Sequence, residues 1–219
     1  MSALQAVLFD LDGTLIDSEP RWAQEEQALA DRYGGRWSQY DAERTVGKSL
    51  RYTALQLQRG GVPRSVEIIM DELLDSVAES ITRTAIPMQP GAAALLDAVA
   101  HEGLPAALVS SSYRMHIDAV CAQLNAQFAV TVAGDEVDRA KPDPQGYQRA
   151  MDQLGVDAAG CVAIEDSLSG VRAAIASGAR VLAVPSVPED AQAIADLGAT
   201  VVASLEVVDV AMLRSLAEQ

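Results

Sequence analysis

Asp10 and Asp12 stand two residues apart, after the apolar run Ala6-Val7-Leu8-Phe9 and ahead of Gly13. On an extended backbone both carboxylates leave the same face of the chain. One such carboxylate can attack phosphorus to form an acyl phosphate while its neighbour protonates the departing alkoxide, which splits one hydrolysis into two displacements. Gly13 lets the chain turn without a side chain in the way. The same residues also fit a strand followed by an ordinary polar turn. Glu165 and Asp166 supply the hard oxygen ligands that Mg²⁺ takes, and a cation there would offset repulsion between an anionic nucleophile and an anionic substrate. They fit equally well as acidic caps on a helix starting near Leu168. Ser110, followed by Ser111, can hold a phosphoryl oxygen through its hydroxyl and the N–H groups behind it, or simply cap a helix. Lys141 lies in Arg139-Ala140-Lys141-Pro142-Asp143-Pro144, where the prolines restrict the backbone and could aim its ammonium at charge developing on phosphorus. Taken alone, a loop lysine is normally solvated.

These positions meet only if the chain supplies a frame. Short apolar runs at 6–9, 106–109, 129–132, 161–164, 181–184 and 200–202 alternate, from residue 90 onward, with helical spacing near 91–102, 113–124, 144–154, 168–177 and 189–196. That alternation implies parallel strand–helix–strand units and a three-layer sheet, with ligands beyond the carboxyl ends of the strands. Residues 17–85 break the pattern. Ser18-Glu19-Pro20 reads as a helix start, Trp22, Leu29 and Tyr33 recur at helical spacing up to Gly34-Gly35, and further helices read around 50–58 and 65–83. The expected organisation is a core of residues 1–16 and 86–219 with an all-helical insertion at 17–85.

A formal charge of −15 argues against a nucleic-acid partner, which needs a basic face. A small anionic substrate stays compatible where a metal and a few cations outweigh the global field. Cys121 and Cys161 have neither metal-ligand spacing nor a disulfide framework. The first five residues run into a strand without a basic stretch, and no apolar run approaches the roughly 18 residues of a membrane span. A cytoplasmic location without a membrane partner is therefore expected. The oligomeric state stays open, with a monomer as the default.

Together the pieces resemble the haloacid dehalogenase-like hydrolase superfamily, in its β-phosphoglucomutase-like and sugar-phosphatase branch. The resemblance rests on Phe9-Asp10-Leu11-Asp12-Gly13-Thr14-Leu15, Val109-Ser110-Ser111-Ser112, Lys141-Pro142 and Ile164-Glu165-Asp166-Ser167-Leu168-Ser169-Gly170, in that order. It implies an α/β fold with a Rossmann-like core and a helical cap. It also implies Asp10 as nucleophile and metal ligand, and Asp12 as general acid/base with its carbonyl on the metal. Ser110, Ser111 and Lys141 would bind phosphate, and Asp166 with Glu165 would complete a Mg²⁺ site. The implied activity is Mg²⁺-dependent hydrolysis of a small phosphorylated metabolite, a sugar or sugar-alcohol phosphate.

Within that resemblance, dehalogenases lack an acid at the position of Asp12, which favours phosphoryl transfer here. Phosphonate-cleaving members use a lysine early in the cap, and residues 17–35 contain none. β-Phosphoglucomutases carry a cap histidine where this chain has Trp22, so mutase activity is the alternative enzymatic reading. A binding module with a dead site is the non-enzymatic one, and none of Asp10, Asp12, Lys141 and Asp166 is lost. In the insertion, Arg44, Gly47, Lys48 and Arg51 resemble a substrate-specificity loop, with Glu19 and Trp22 as further substrate candidates. A solvated basic turn fits the same loop residues, and cap core fits Trp22 and Trp37.

Overall fold

A computed structural model describes residues 3–46, 48–124 and 127–219. In chain order, β1 (Ala6–Phe9) is followed by α1 (Glu19–Arg32), α2 (Gln39–Thr45), α3 (Leu50–Arg59) and α4 (Val66–Arg83). Strands and helices then alternate: α5 (Ala92–His101), β2 (Ala106–Val109), α6 (Arg114–Leu124), β3 (Val130–Val132), α7 (Gln145–Leu154), β4 (Cys161–Glu165), α8 (Leu168–Ala176), β5 (Arg180–Ala183), α9 (Ala191–Asp196), β6 (Thr200–Val201) and α10 (Val210–Ala217). The described residues divide into two compact units. One comprises Met1–Asp17, Pro87–Ile117 and Leu124–Gln219, and the other Ser18–Ile86 with Asp118–Gln123.

The strands form a single parallel sheet in the order β3-β2-β1-β4-β5-β6. Every residue of β1 and β4 is buried, as expected for short apolar strands covered on both faces. Phe9 pairs with Leu108 on one side and Ile164 on the other. This is an α/β, Rossmann-like fold. Leu8, Val109, Tyr147, Ala163 and Val171 share one core around the sheet. Chain progression reverses at β1, whose partners are β2 and β4, and that reversal opens a crevice at the carboxyl ends of these strands.

The second unit contains only helices. Its core gathers Leu29, Ala54, Leu57, Ile69 and Leu73, and α4 buries Ile69, Leu73, Val77 and Ile81 along one stripe at four-residue steps. Gln123, late in α6, belongs here because its side-chain amide donates to the Ile81 carbonyl and accepts from the Ile86 N–H. Two helices exceed the sequence reading. α2 has little apolar periodicity and starts instead from a reciprocal cap, in which Ser38 Oγ accepts from the Asp41 N–H and Asp41 accepts from the Ser38 N–H. α10 starts where the Asp209 carboxylate accepts from the Met212 N–H at 2.8 Å, a cap worth about 1 kcal/mol. Among the described residues no helix is long and apolar enough to cross a membrane.

Within the helical unit a cavity of about 200 Å³ lies between α1 and α2, lined in part by Glu19, Glu26, Glu43 and Thr45. Glu26 is 5% exposed. Burial, reinforced by the charge of Glu19, pushes its carboxyl up to about 7. The folded chain thus holds a proton that the unfolded chain releases near 4.5, so this group's contribution to stability falls as pH rises from 4.5 to about 7. Glu26→Gln, which stays neutral, is expected to raise the melting temperature relative to wild type at pH 8 and to leave it close to wild type at pH 5. Thermal unfolding at the two pH values checks this.

Candidate active site

Three strand ends deliver the chemistry. Asp10 follows β1, Ser110 follows β2, and Glu165 closes β4 with Asp166 next. The Asp10 N–H donates to the Ile164 carbonyl at 3.0 Å and the Ser110 N–H to the Val132 carbonyl at 3.0 Å, so sheet pairing continues to the residues that matter. Lys141, from the segment between β3 and α7, reaches across this rim. Its ammonium donates to Asp10 Oδ1 at 2.6 Å, Glu165 Oε1 at 2.6 Å and the Val109 carbonyl at 2.9 Å, which uses all three protons. Burial disfavours a charged lysine, but the Asp10 and Glu165 carboxylates outweigh it and hold Lys141 well above its usual range. Tyr147, fully buried on α7, donates its hydroxyl to Glu165 Oε1 at 2.6 Å, and the Lys141 ammonium lies 5.1 Å from its ring centroid.

Asp10, Glu165 and Asp166 are all buried, and ligand atoms from the three lie within 4.8 Å of one another. Against them stands one ammonium. Burial drives the Asp10 carboxyl well above the usual carboxylate range; Lys141 opposes this, while Glu165 and Asp166 add to it. Burial, with the Glu165 charge, pushes Asp166 up to about 7. Asp10 Oδ2 is buried and has no hydrogen-bond partner among the described residues. An orphaned carboxylate oxygen among hard donors is a setting that Mg²⁺ fits.

Two glycines make the close approach possible. Gly13 has φ +90° and a Cβ there would meet Asp166 Oδ2 at 2.1 Å, while a Cβ on Gly170 would meet Glu165 Oε2 at 1.9 Å. Helix capping falls to Ser167, whose Oγ accepts from the Gly170 N–H at 3.1 Å at the start of α8. Asp166 is thereby left to face the acidic cluster. Ser110 is not a helix cap either: its Oγ accepts from the Ser112 N–H at 2.9 Å, and α6 begins only at Arg114. Ser111 is exposed at the same turn.

Asp12 lies just outside this cluster, with its side chain 27% exposed. Ser112 Oγ donates to its Oδ2 at 2.6 Å, Ser110 Oγ lies 3.4 Å from that oxygen, and His116 Nε2 lies 3.1 Å from Oδ1. The sequence reading singled out neither Ser112, His116 nor Tyr147 as a site residue. Each lies on a segment named for another reason, and no spacing rule links residue 12 to 116 or 147 to 165.

The candidates from the insertion fall differently. Glu19 lines the cavity of the helical unit. Trp22 is half-buried against the helical core and Trp37 belongs to it, which fits core packing for both. Arg51 is an exposed partner of Glu67 at 3.1 Å, the Arg44 guanidinium lies 5.6 Å from the Tyr40 ring centroid, and Lys48 is exposed. Gly47 lies outside the described residues.

A sequence model of haloacid dehalogenase-like hydrolases matches residues 4–178. The chain belongs to the haloacid dehalogenase-like hydrolase family. It is similar to protein CbbY of Rhodobacter capsulatus, at 34% identity over 195 residues, covering 84% of this chain and 86% of that protein. It is also similar to hexitol phosphatase B of Escherichia coli K12, at 30% identity over 189 residues and 83% of each chain. The crystal structure of CbbY from Rhodobacter sphaeroides in complex with phosphate superposes with a TM-score of 0.80 at 25% identity, covering 93% of this chain and 96% of that one.

In a family member built this way, the lysine is also a structural element. Replacing it leaves buried carboxylates without their counter-charge, a change that costs about 3–5 kcal/mol. Lys141→Met is therefore expected to destabilise the protein by that order at pH 8. The deficit should shrink at pH 5, where protonation of Asp10 and Asp166, both raised by burial, relieves the repulsion. Chemical denaturation at both pH values measures the difference.

Proposed function

We propose that this chain is a Mg²⁺-dependent phosphatase that hydrolyses a small phosphorylated metabolite, a sugar or sugar-alcohol phosphate, through an aspartyl-phosphate on Asp10. The observation that carries the reading is the division of the Asp10 carboxylate. One oxygen is held by Lys141 at 2.6 Å, and the other is buried and without a hydrogen bond. Similarity to a hexitol phosphatase and to a protein crystallised with phosphate supports both the reaction and the substrate class.

In this mechanism a carboxylate oxygen of Asp10 attacks phosphorus as the bond to the substrate oxygen breaks, and Asp12 gives its proton to the leaving alkoxide. Asp12 then takes a proton from water, which attacks the phosphorus of the aspartyl-phosphate, frees Asp10 and releases inorganic phosphate. Ser110 and Ser111 hold phosphoryl oxygens, and Lys141 sets against their charge an ammonium whose direction Glu165 and Tyr147 fix. The side chains of Asp10 and Asp166 and the carbonyl of Asp12 would hold Mg²⁺, with Glu165 completing the acidic set. The metal supplies charge neutralisation between two anions. The helical unit, with Glu19, Trp22, Gly47, Lys48 and Arg51 as candidates, would select the rest of the substrate.

Asp10→Asn and Asp10→Ala are expected to abolish release of phosphate while leaving the fold intact by circular dichroism, and EDTA is expected to abolish phosphate release reversibly in the wild type. Turnover near wild type in either variant rejects the covalent route. Asp12→Asn should lower kcat by about 10²–10⁴-fold, most for poor leaving groups. Incubation with β-glucose 1-phosphate and a trace of its 1,6-bisphosphate should yield phosphate faster than glucose 6-phosphate. The opposite order assigns the chain to the mutases.

A further inference from the structure

Asp12 stands in a different setting from Asp10. Both of its oxygens meet groups from the segment after β2. His116, on the first turn of α6 and 1% exposed, places Nε2 3.1 Å from Oδ1, and Ser112 donates to Oδ2 at 2.6 Å. In the part of the cycle where Asp12 is ionised it only accepts, and the imidazole then meets it through a protonated Nε2. The four-residue step from Ser112 to His116 spans the entry into α6, which sets two donors of different length around one carboxylate.

We infer that His116 and Ser112 are positioning residues that clamp the Asp12 carboxylate in the orientation from which it exchanges a proton with the leaving group. The inference rests on the reading of Asp12 as general acid/base. Neither residue touches phosphate in this scheme. Their contribution lies in restricting the rotation of a part-exposed side chain, because proton transfer requires hydrogen-bond reach and alignment. A clamp of this kind contributes most where the leaving group needs a proton most.

The test compares kcat and KM for phenyl phosphate and p-nitrophenyl phosphate, with Mg²⁺, in wild type, His116→Phe, His116→Gln and Ser112→Ala, and in the same variants carrying Asp12→Asn. His116→Phe keeps a ring and removes the N–H, and is expected to lower kcat on phenyl phosphate by about 10-fold, the scale of one lost hydrogen bond to a charged group. On p-nitrophenyl phosphate the loss should stay within about 2-fold, with KM unchanged on both. His116→Gln should recover most of the loss, and Ser112→Ala should show the same selectivity. In the Asp12→Asn background none of the three should reduce kcat further. Equal losses on the two substrates, or a further loss in that background, overturn the clamp while leaving the role of Asp12 intact. If Asp12→Asn alone shows no preference between the substrates, the reading of Asp12 fails and the clamp fails with it. Should His116→Phe not fold, Ser112→Ala and His116→Gln decide by the same criteria: an unselective loss in Ser112→Ala, or wild-type rates there, rejects the clamp.

Discussion

The Lys141 ammonium ties the rim of the sheet together. It is one charge that accounts for three separate stretches of backbone, since Asp10 follows β1, Val109 ends β2 and Glu165 ends β4. Without it, the parallel sheet would still bring these strand ends together, because β1 pairs with both β2 and β4. It would then leave acidic groups facing one another in a buried place. The ammonium resolves part of that conflict by engaging one oxygen of Asp10, and the other stays buried without a hydrogen-bond partner among the described residues. Tyr147 acts one step behind, sharing Glu165 Oε1 with the lysine.

The conflict is only partly resolved, and this makes the site receptive to a cation. Asp10 and Asp166 both have carboxyls raised by burial and by neighbouring acids. A chain with a net charge of −15 offers an anionic substrate little long-range attraction, so attraction must be local. A lysine, backbone donors and a divalent metal can provide it within a few ångströms. Gly13 and Gly170 serve the same end, because any side chain at either position would displace Asp166 or Glu165.

Two aspartates separated by one residue thus occupy unlike settings. Asp10 is buried and ion-paired, whereas Asp12 is partly open and faces the Ser112 hydroxyl and the His116 ring. Differentiation of this kind is how one site assigns different tasks to the same functional group. The unlike settings come from the chain direction after β1: Asp10 still continues the sheet, while Asp12 has already left it toward the turn at Gly13.

Much of this was readable before any coordinates. Alternating short apolar runs and helical stretches determined the parallel α/β core, because a strand buried on both faces needs apolar residues at every position. The order of the four polar motifs along the chain pointed to Asp10, Asp12, Ser110, Lys141, Glu165 and Asp166, since each motif sits at the end of a strand or in the loop after one. α2 escaped notice because a reciprocal cap, rather than apolar periodicity, starts it. Only the tertiary structure decided how these groups share their hydrogen bonds. Tyr147 reaches Glu165, and His116 reaches Asp12 across 104 residues. Such contacts depend on the crossing of one element over another, and local spacing carries no record of a distance between residues that only the folded sheet brings together.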